Sequence, residues 1–144
     1  MLAGEPITVF GDGKQTRDIL FIDDLIDAYF AAWNAREKVS GQIYNIGGSR
    51  ALPNVEVVQK ILAALKKPES LMQTVQDRPG HDRRYALSTD KLTRETGWAP
   101  QVPFEQGLQA TIDWYRANGA WVENVKSGEY QHYYDRNYGN RAVS

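Results

Sequence analysis

The stretch from Asp77 to Tyr85 concentrates the residue types best suited to binding an anion. Its nine residues include three arginines, a histidine and two aspartates, with Pro79-Gly80 in the middle. Proline fixes φ and glycine tolerates a positive φ, so this pair predicts a tight turn. Such a turn can bring the side chains of Arg78 and His81 to the same side of the chain. A guanidinium matches phosphate oxygens and an imidazole adds a donor, so the stretch predicts a phosphate-binding site.

Within such a site, Asp77 and Asp82 would hold the arginines in place or offset their mutual repulsion. The alternative interpretation involves no ligand and is a solvent-exposed charged loop with local ion pairs. Ion pairs in such a loop contribute little to stability. Residue types alone do not choose between the two interpretations.

Short strands and amphipathic helices are predicted on both sides of this stretch. Residues 7–10 form a β-branched run that ends at a Gly11-Asp12-Gly13 turn, and residues 18–22 predict a second strand. The remaining predicted elements are a helix capped by Asp23 that ends before Gly41, a strand at 42–46, a helix from Asn54 to the lysines before Pro68, strands at 71–75 and 85–87, a helix from 88 or 89 to Gly97, and a helix after Pro103.

The glycine turn does not match a phosphate loop. A Walker motif needs a longer spacing between its glycines and Ser or Thr directly after Lys, whereas Gln15 follows Lys14 here. Arg17, at the start of the second predicted strand, is the residue of this region that we predict to bind a ligand. Its alternative role is a local ion pair with Asp18 or Asp23.

Length and composition indicate one α/β domain over residues 1–144 with an aromatic-rich tail at 121–144. The net charge of −1 provides no broad basic field for nucleic acid or anionic lipid. The absence of cysteine excludes a disulfide framework and a thiolate nucleophile. No apolar run approaches the ~18 residues of a membrane span. We therefore expect a soluble cytoplasmic protein that binds neither nucleic acid nor membrane and holds no metal.

Several motifs together resemble the extended short-chain dehydrogenase/reductase family of nucleotide-sugar enzymes. Those shared across that family are Phe10-Gly11-Asp12-Gly13, Thr16-Arg17-Asp18, Phe21-Ile22-Asp23-Asp24 and Tyr44-Asn45-Ile46-Gly47-Gly48. The arginine stretch, followed by Gly97-Trp98 and the run at 111–115, resembles the dTDP-glucose 4,6-dehydratase group within it. The resemblance covers the chain from about residue 5 to about residue 138.

The resemblance implies a small mixed α/β portion of an extended Rossmann-type enzyme, the substrate-binding part without the N-terminal dinucleotide-binding half. It implies that Arg17, Asn45, Arg78 and His81 hold the diphosphate of a dTDP-sugar. All four side chains are hydrogen-bond donors, which suits one shared anion. For Asn45 the alternative is a turn residue that ends a strand.

The motifs that carry chemistry in that family do not occur in these 144 residues. The family binds NAD on a Gly-x-x-Gly-x-x-Gly turn and uses a Tyr-x-x-x-Lys pair as its acid/base, and it eliminates water with an Asp-Glu pair. No glycine run here has that spacing, and no tyrosine has Lys four residues later. We therefore expect no catalytic residue and no bound cofactor in this chain, with NAD held by the full-length enzyme.

The predicted strand at 43–46 would join the sheet of the cofactor domain in the resembling fold. Without that domain its backbone groups lack partners, so we expect self-association or pairing with the missing half. Two or three charge-assisted contacts give roughly 4–8 kcal/mol. Association costs at least ~4 kcal/mol, so dTDP-sugar binding by the chain alone should be about millimolar or weaker.

Two other interpretations remain open. Leu25 stands where the dehydratases commonly carry His, so the chain could be the same portion of a nucleotide-sugar epimerase or decarboxylase. The chain could also be a stand-alone binding or scaffold module without catalysis.

Overall fold

The structure, a computed structural model, describes residues 4–48, 50–126 and 128. Its contacts divide the chain into two compact units, Met1–Leu108 and Gln109–Ser144. The single domain over residues 1–144 stays a prediction. Most of the aromatic-rich tail, including its four tyrosines from Tyr130 to Tyr138, lies outside the described residues.

Short strands and helices follow one another along the chain. In order they are β1 (Ile7–Phe10), β2 (Thr16–Asp18), α1 (Ile22–Asn34), α2 (Arg36–Val39), β3 (Ala51–Pro53), α3 (Asn54–Ala64), a 3-10 turn (Glu69–Leu71), β4 (Met72–Val75), β5 (Arg84–Tyr85), α4 (Asp90–Thr96), α5 (Phe104–Ala117) and α6 (Gly119–Lys126).

The strands of the described residues form two separate sheets. In the first, β1 pairs in parallel with β4. In the second, β2 is the central strand, antiparallel to β3 and parallel to β5. Arg17 is therefore opposite Leu52 on one side and Tyr85 on the other. A strand lies on each side of the glycine turn, as predicted, but the second one is placed earlier than the predicted 18–22, and the two strands belong to different sheets.

Two apolar clusters hold the larger unit together. Val9 of β1 packs with Val58 and Leu62 of α3, which repeat at helical spacing on one face. Ala28 of α1 and Leu92 of α4 form the second cluster with Trp98, all nearly inaccessible to solvent. The helix that carries Leu92 ends at Gly97, whose φ of 76° is left-handed, as the Gly-then-Pro pattern predicted.

The boundary between β2 and α1 differs from the prediction. The strand predicted at 18–22 ends at Asp18, and α1 begins at Ile22 without a side-chain cap. Asp23 is therefore not the N-cap but an acidic residue of the first helical turn, where it complements the helix dipole. The apolar residues at 19–22 suggested a strand because a short apolar run does not distinguish a strand from an irregular connection that leads into a helix.

Helix α1 carries apolar side chains on two opposite faces. Its inner face holds Ala28, which is fully buried. The outer face is a stripe of large apolar side chains that are all at least 45% exposed: Ile22, Ile26, Tyr29, Phe30 and Trp33. An apolar helix face is usually packed against another element. The outer face of α1 is therefore exposed although its composition is that of a buried face.

The prediction of a strand at 42–46 is wrong, because residues 42–48 have no regular secondary structure. Their side chains still alternate as in a strand: Tyr44 and Ile46 pack against the Ala28 cluster, while Ile43 is 87% exposed and Asn45 is exposed. No strand of the described residues pairs with this segment. A strand needs a neighbouring strand for its backbone hydrogen bonds, which the alternating pattern alone cannot supply.

Helix α4 fixes the first half of this segment. Lys91 lies 4.5 Å from the centre of the Tyr44 ring and donates to the carbonyl oxygen of Ile43 at 3.1 Å. One turn later, the Glu95 carboxylate accepts a hydrogen bond from the Tyr44 hydroxyl. That bond stabilises the neutral phenol and raises the pKa of Tyr44 from 10.0 to about 12.

The buried carboxylate of Asp24 fixes the loop before α5. It is 2% exposed and accepts the backbone N–H groups of Gln101 at 2.9 Å and Val102 at 3.0 Å. A buried carboxylate requires such donors, and these come from residues 77 and 78 positions away.

Replacing Asp24 with Ala should lower the free energy of unfolding by about 2–4 kcal/mol, because two charge-assisted hydrogen bonds are lost and two backbone donors lose their partners. Urea denaturation measures the change. Asp27→Ala, at an exposed position on the same helix, is the control and should change stability by less than about 0.5 kcal/mol. Equal effects of the two variants would contradict this role for Asp24.

The Tyr44–Glu95 bond should be visible in alkaline titration. The folded-state pKa of Tyr44 lies above its unfolded value, so its contribution to stability is complete below pH 10.0 and is lost as pH rises towards about 12. Glu95→Ala should bring the pKa of Tyr44 back towards its ordinary value, because the hydrogen-bond acceptor and its negative charge are both removed. Near-ultraviolet tyrosinate absorbance, with Tyr44→Phe as the difference reference and Glu105→Ala as the control, measures this pKa. An unchanged Tyr44 titration in Glu95→Ala would exclude the bond.

Candidate functional site

The turn predicted from Pro79-Gly80 forms, with Gly80 at a φ of 67°. It brings the Nδ1 atom of His81 to 2.6 Å from an Asp77 oxygen that also accepts the backbone N–H of Arg78 at 2.9 Å. The bond with His81 is the main cause that lowers the pKa of Asp77. The ring of His81 also contacts Phe10 edge to face, and its side chain is only 8% exposed. His81 is thus oriented by two neighbours, and Nε2 is the ring nitrogen left for a ligand.

The glycine turn at 11–13 lies directly against this stretch. A Cβ on Gly11 would come within 2.8 Å of the Asp77 carboxylate, and the φ of Gly11 is 60°. Asp12 forms two hydrogen bonds with the Arg83 guanidinium, at 2.9 and 3.2 Å. This pair lowers the pKa of Asp12 and raises that of Arg83. The turn leads into β2 rather than into a helix, so its role here is to hold the arginine stretch in place.

Arg17 of β2 reaches the same stretch from the other side. Its Nη1 donates to the Asp82 carbonyl oxygen at 3.1 Å and to the Thr16 carbonyl oxygen at 2.8 Å. The guanidinium carbon lies 4.7 Å from the centre of the Tyr85 ring. The Tyr85 hydroxyl donates to the Asp82 carboxylate at 2.5 Å, which raises the pKa of Tyr85. Arg17 makes these contacts in place of the local ion pair with Asp18 or Asp23, which was the alternative role predicted for it.

The carboxylates of Asp77 and Asp82 form no ion pair with the arginines of the stretch, although Asp77 attracts Arg78 and Arg83 electrostatically, in line with the second role predicted for these aspartates. The Asp77 carboxylate bonds to His81, and the Asp82 carboxylate bonds to Tyr85. The carboxylate that holds an arginine belongs to Asp12, 71 positions from Arg83. Sequence reasoning missed this partner because no local pattern marks a contact between residues so far apart.

Arg78 is exposed, and the structure records no hydrogen bond from its guanidinium to a described residue. Arg17 and Arg78 both lie close enough to Tyr85 to oppose the rise in its pKa electrostatically. Two guanidinium groups therefore act electrostatically on one tyrosine, and cationic donors in one region favour an anion there.

A cavity of about 310 Å³ opens beside Arg78 and His81. Its remaining lining is mostly apolar and comes from β1, α3 and one residue of the loop before β2. It consists of Ile7, Thr8, Val9, Phe10, Gln15, Asn54, Val57, Val58 and Ile61. A cavity with an apolar wall and a few charged donors at one end is typical of sites for organic anions. A second cavity, of about 420 Å³, contains none of the four predicted residues.

The four predicted site residues are brought together only in part. Arg78 and His81 line the cavity of about 310 Å³, whereas Arg17 reaches their stretch through Asp82 and Tyr85. Asn45 is exposed in the segment 42–48, and no recorded contact between described residues connects it with the other three. Its indirect connection is through Asp18, the neighbour of Arg17, whose carboxylate accepts the backbone N–H of Gly48 at 2.9 Å. That Arg17, Asn45, Arg78 and His81 bind one ligand stays a prediction.

Comparisons with known proteins identify the family to which the chain is similar. A family model described as GDP-mannose 4,6 dehydratase matches residues 1–111. The dTDP-glucose 4,6-dehydratase of Xanthomonas campestris pv. campestris is 48% identical over 139 residues, which cover 90% of this chain and 39% of that protein. The chain thus spans about two fifths of the length of the curated relatives it matches.

Solved structures give the same relationship. A dTDP-glucose 4,6-dehydratase from Bacillus anthracis, in complex with NAD, is 39% identical, with a TM-score of 0.72 over 83% of this chain and 37% of that one. A UDP-glucuronic acid 4-epimerase from Bacillus cereus, in complex with UDP-glucuronic acid and NAD, is 28% identical, with a TM-score of 0.74 over 81% and 37%. The predicted fold class, a mixed α/β portion of a Rossmann-type enzyme, is confirmed.

The family model covers most of the chain, and the arginine stretch together with the strand that carries Arg17 lies within the matched residues. The chain belongs to the GDP-mannose 4,6 dehydratase family, and it corresponds to a part of the fold of its dTDP-glucose 4,6-dehydratase relatives.

Proposed function

We propose that this chain is the nucleotide-sugar-binding portion of an NAD-dependent dTDP-glucose 4,6-dehydratase, which converts dTDP-glucose to the 4-keto-6-deoxy sugar. Arg17, Asn45, Arg78 and His81 hold the diphosphate of the substrate. The observation that supports this most is the bond from Arg17 to Asp82, because it draws β2 against the turn that carries Arg78 and His81. The 310 Å³ cavity beside that turn leaves room for the organic part of a ligand.

The chemistry of the four side chains suits a diphosphate. The exposed guanidinium of Arg78 offers several donors in one plane, which a phosphate accepts in pairs. Arg17 is more constrained, since Nη1 is engaged with two carbonyl oxygens. Its stacking on Tyr85 keeps the plane of the guanidinium in place, so less conformational entropy is lost when a ligand binds.

The residues of this chain do not fit NAD. A dinucleotide site of this class needs a glycine-rich turn between a strand and the N-terminus of a helix. The described glycine turn at 11–13 connects two strands, and the side chains of Asp77 and Arg83 lie against it. We therefore assign no hydride transfer to these residues and expect no turnover of dTDP-glucose by the chain alone.

The remainder of the fold, which this chain does not span, would cover the outer face of α1 and the outward side of residues 42–48. Ile43 and the stripe from Ile22 to Trp33 are exposed and apolar. A surface of this kind commonly marks an interface. Without the dinucleotide-binding part, two copies of the chain would meet through these surfaces instead.

An epimerase is the second candidate, supported by the similarity to the Bacillus cereus epimerase at 28% identity. Both enzyme classes would use the same diphosphate contacts, so the present geometry serves either. Stronger binding of UDP than of dTDP would favour the epimerase, and a decarboxylase of the same family would be tested in the same way.

Titration of the chain with dTDP, followed by NMR, tests the diphosphate site. We expect a dissociation constant of about 1 mM or weaker, with shifts at the side chains of Arg17, Arg78 and His81. Arg78→Ala should remove the binding, whereas Arg116→Ala, at an exposed arginine of α5, should not. Unchanged signals at these residues under ligand excess would refute the site, and micromolar binding would refute the assumption that this portion binds weakly.

Gel filtration across a range of concentrations tests the exposed surfaces. The chain should associate in a concentration-dependent manner, and Phe30→Asp or Ile43→Asp should shift it towards monomer because a charge cannot be buried in an apolar contact. Val125→Asp, at an apolar position of α6 that is 56% exposed, is the matched control and should leave the association unchanged. A wild-type chain that stays monomeric at every concentration contradicts this part of the proposal.

A further inference from the structure

The segment 42–48 is fixed in place although it has no regular secondary structure. Tyr44 and Ile46 pack against the cluster of Ala28, Leu92 and Trp98, and Asn45 lies between them on the exposed side. Without a neighbouring strand, this packing alone would leave the backbone free to rotate. Side chains from two other elements supply the missing contacts.

The first anchor comes from α4. Lys91 and Glu95 are one helical turn apart, so they share a face of the helix. Lys91 donates to the carbonyl oxygen of Ile43 at 3.1 Å and to the side-chain oxygen of Gln42 at 3.1 Å. Glu95 accepts from the Tyr44 hydroxyl. The backbone on the N-terminal side of Asn45 is thereby held to the helix.

The second anchor comes from β2. The Asp18 carboxylate accepts the backbone N–H of Gly48 at 2.9 Å. A Cβ on Gly47 would lie 2.3 Å from Asp18, and a Cβ on Gly48 would lie 2.1 Å from the carbonyl oxygen of Ile19. Only glycine allows the backbone to come this close, so the backbone on the C-terminal side of Asn45 is held to the strand of Arg17.

We propose that Glu95 and Asp18 are positioning residues that hold Asn45 from its two sides and present its amide outward at a fixed distance from Arg17. Holding the segment at both ends does not depend on a ligand. The consequence for binding rests on the proposed function, because Asn45 is there a contact to the diphosphate. Glu95 acts through the Tyr44 side chain, and Asp18 acts through the backbone N–H of Gly48.

The test compares Glu95→Ala and Asp18→Ala with the conservative Glu95→Gln and Asp18→Asn, and with Glu105→Ala and Asp27→Ala as controls at acidic residues that contact neither end of the segment. NMR order parameters of residues 43–48 are measured without ligand. We expect about 0.85 in the wild-type chain and the controls, and below about 0.6 in both alanine variants. The conservative variants should recover most of the order, because an amide oxygen still accepts a hydrogen bond.

The same samples are then titrated with dTDP. In the alanine variants the ligand-induced shift of the Asn45 side-chain amide should fall about tenfold, while the shifts at Arg78 persist. Unchanged order parameters in Glu95→Ala and Asp18→Ala would overturn the anchoring. Lower order with an unchanged Asn45 shift would overturn the positioning role. If the wild-type chain binds no dTDP, the proposed function fails, and the order parameters still decide the anchoring.

Discussion

The contact of Arg17 with Asp82 and Tyr85 is the interaction on which the candidate site depends. It joins residues 65 positions apart, and it occurs where β2 and β5 pair. The backbone pairing of β2 with β5 and the Asp12–Arg83 pair hold the same stretch. The Arg17 contact adds a side-chain link from the central strand of a sheet to the turn that carries His81, and Arg17 and Arg78 both act electrostatically on Tyr85.

Each exposed polar contact of this kind contributes little to stability, and its role here is to restrict the geometry of the site. The pair between Asp12 and Arg83 is exposed, so water and salt reduce its energy. Its two parallel hydrogen bonds nevertheless restrict the orientation of the loop. Several such restraints act on one short stretch, which allows a site without a large hydrophobic core beneath it.

The parts of the fold that could be predicted from the sequence are those set by local patterns. The run at 7–10 is β-branched and aromatic, the stripe in α3 repeats at helical spacing, and Gly97 ends α4 in a left-handed conformation. The start of α1 could not be predicted, since the apolar residues before it serve equally well in a strand. The absence of a strand at 42–46 could not be predicted either, because pairing depends on a neighbour and not on the segment itself.

The candidate site likewise has parts that local patterns predict and parts that only the folded structure reveals. The turn at Pro79-Gly80 could be predicted from the side chains, but the residues that orient the donors could not. Asp12, Asp18 and Glu95 act across 71, 30 and 51 positions, and nothing in the spacing of acidic residues marks such pairs. Asp24 is similar, since its role appears only when the loop at 101–102 folds over it.

The two adjacent glycines at 47 and 48 restrict the substitutions that the chain can accept. Neither has a positive φ, so space rather than backbone angle excludes a side chain. Alanine, the smallest replacement, would already collide with Asp18 or with the Ile19 carbonyl. A change at Gly48 therefore requires a shift of the backbone at Ile19, directly after β2, whereas a change at Gly47 requires the Asp18 carboxylate to move. Mutational freedom at these two positions is thus coupled to the strand that carries Arg17 and Asp18.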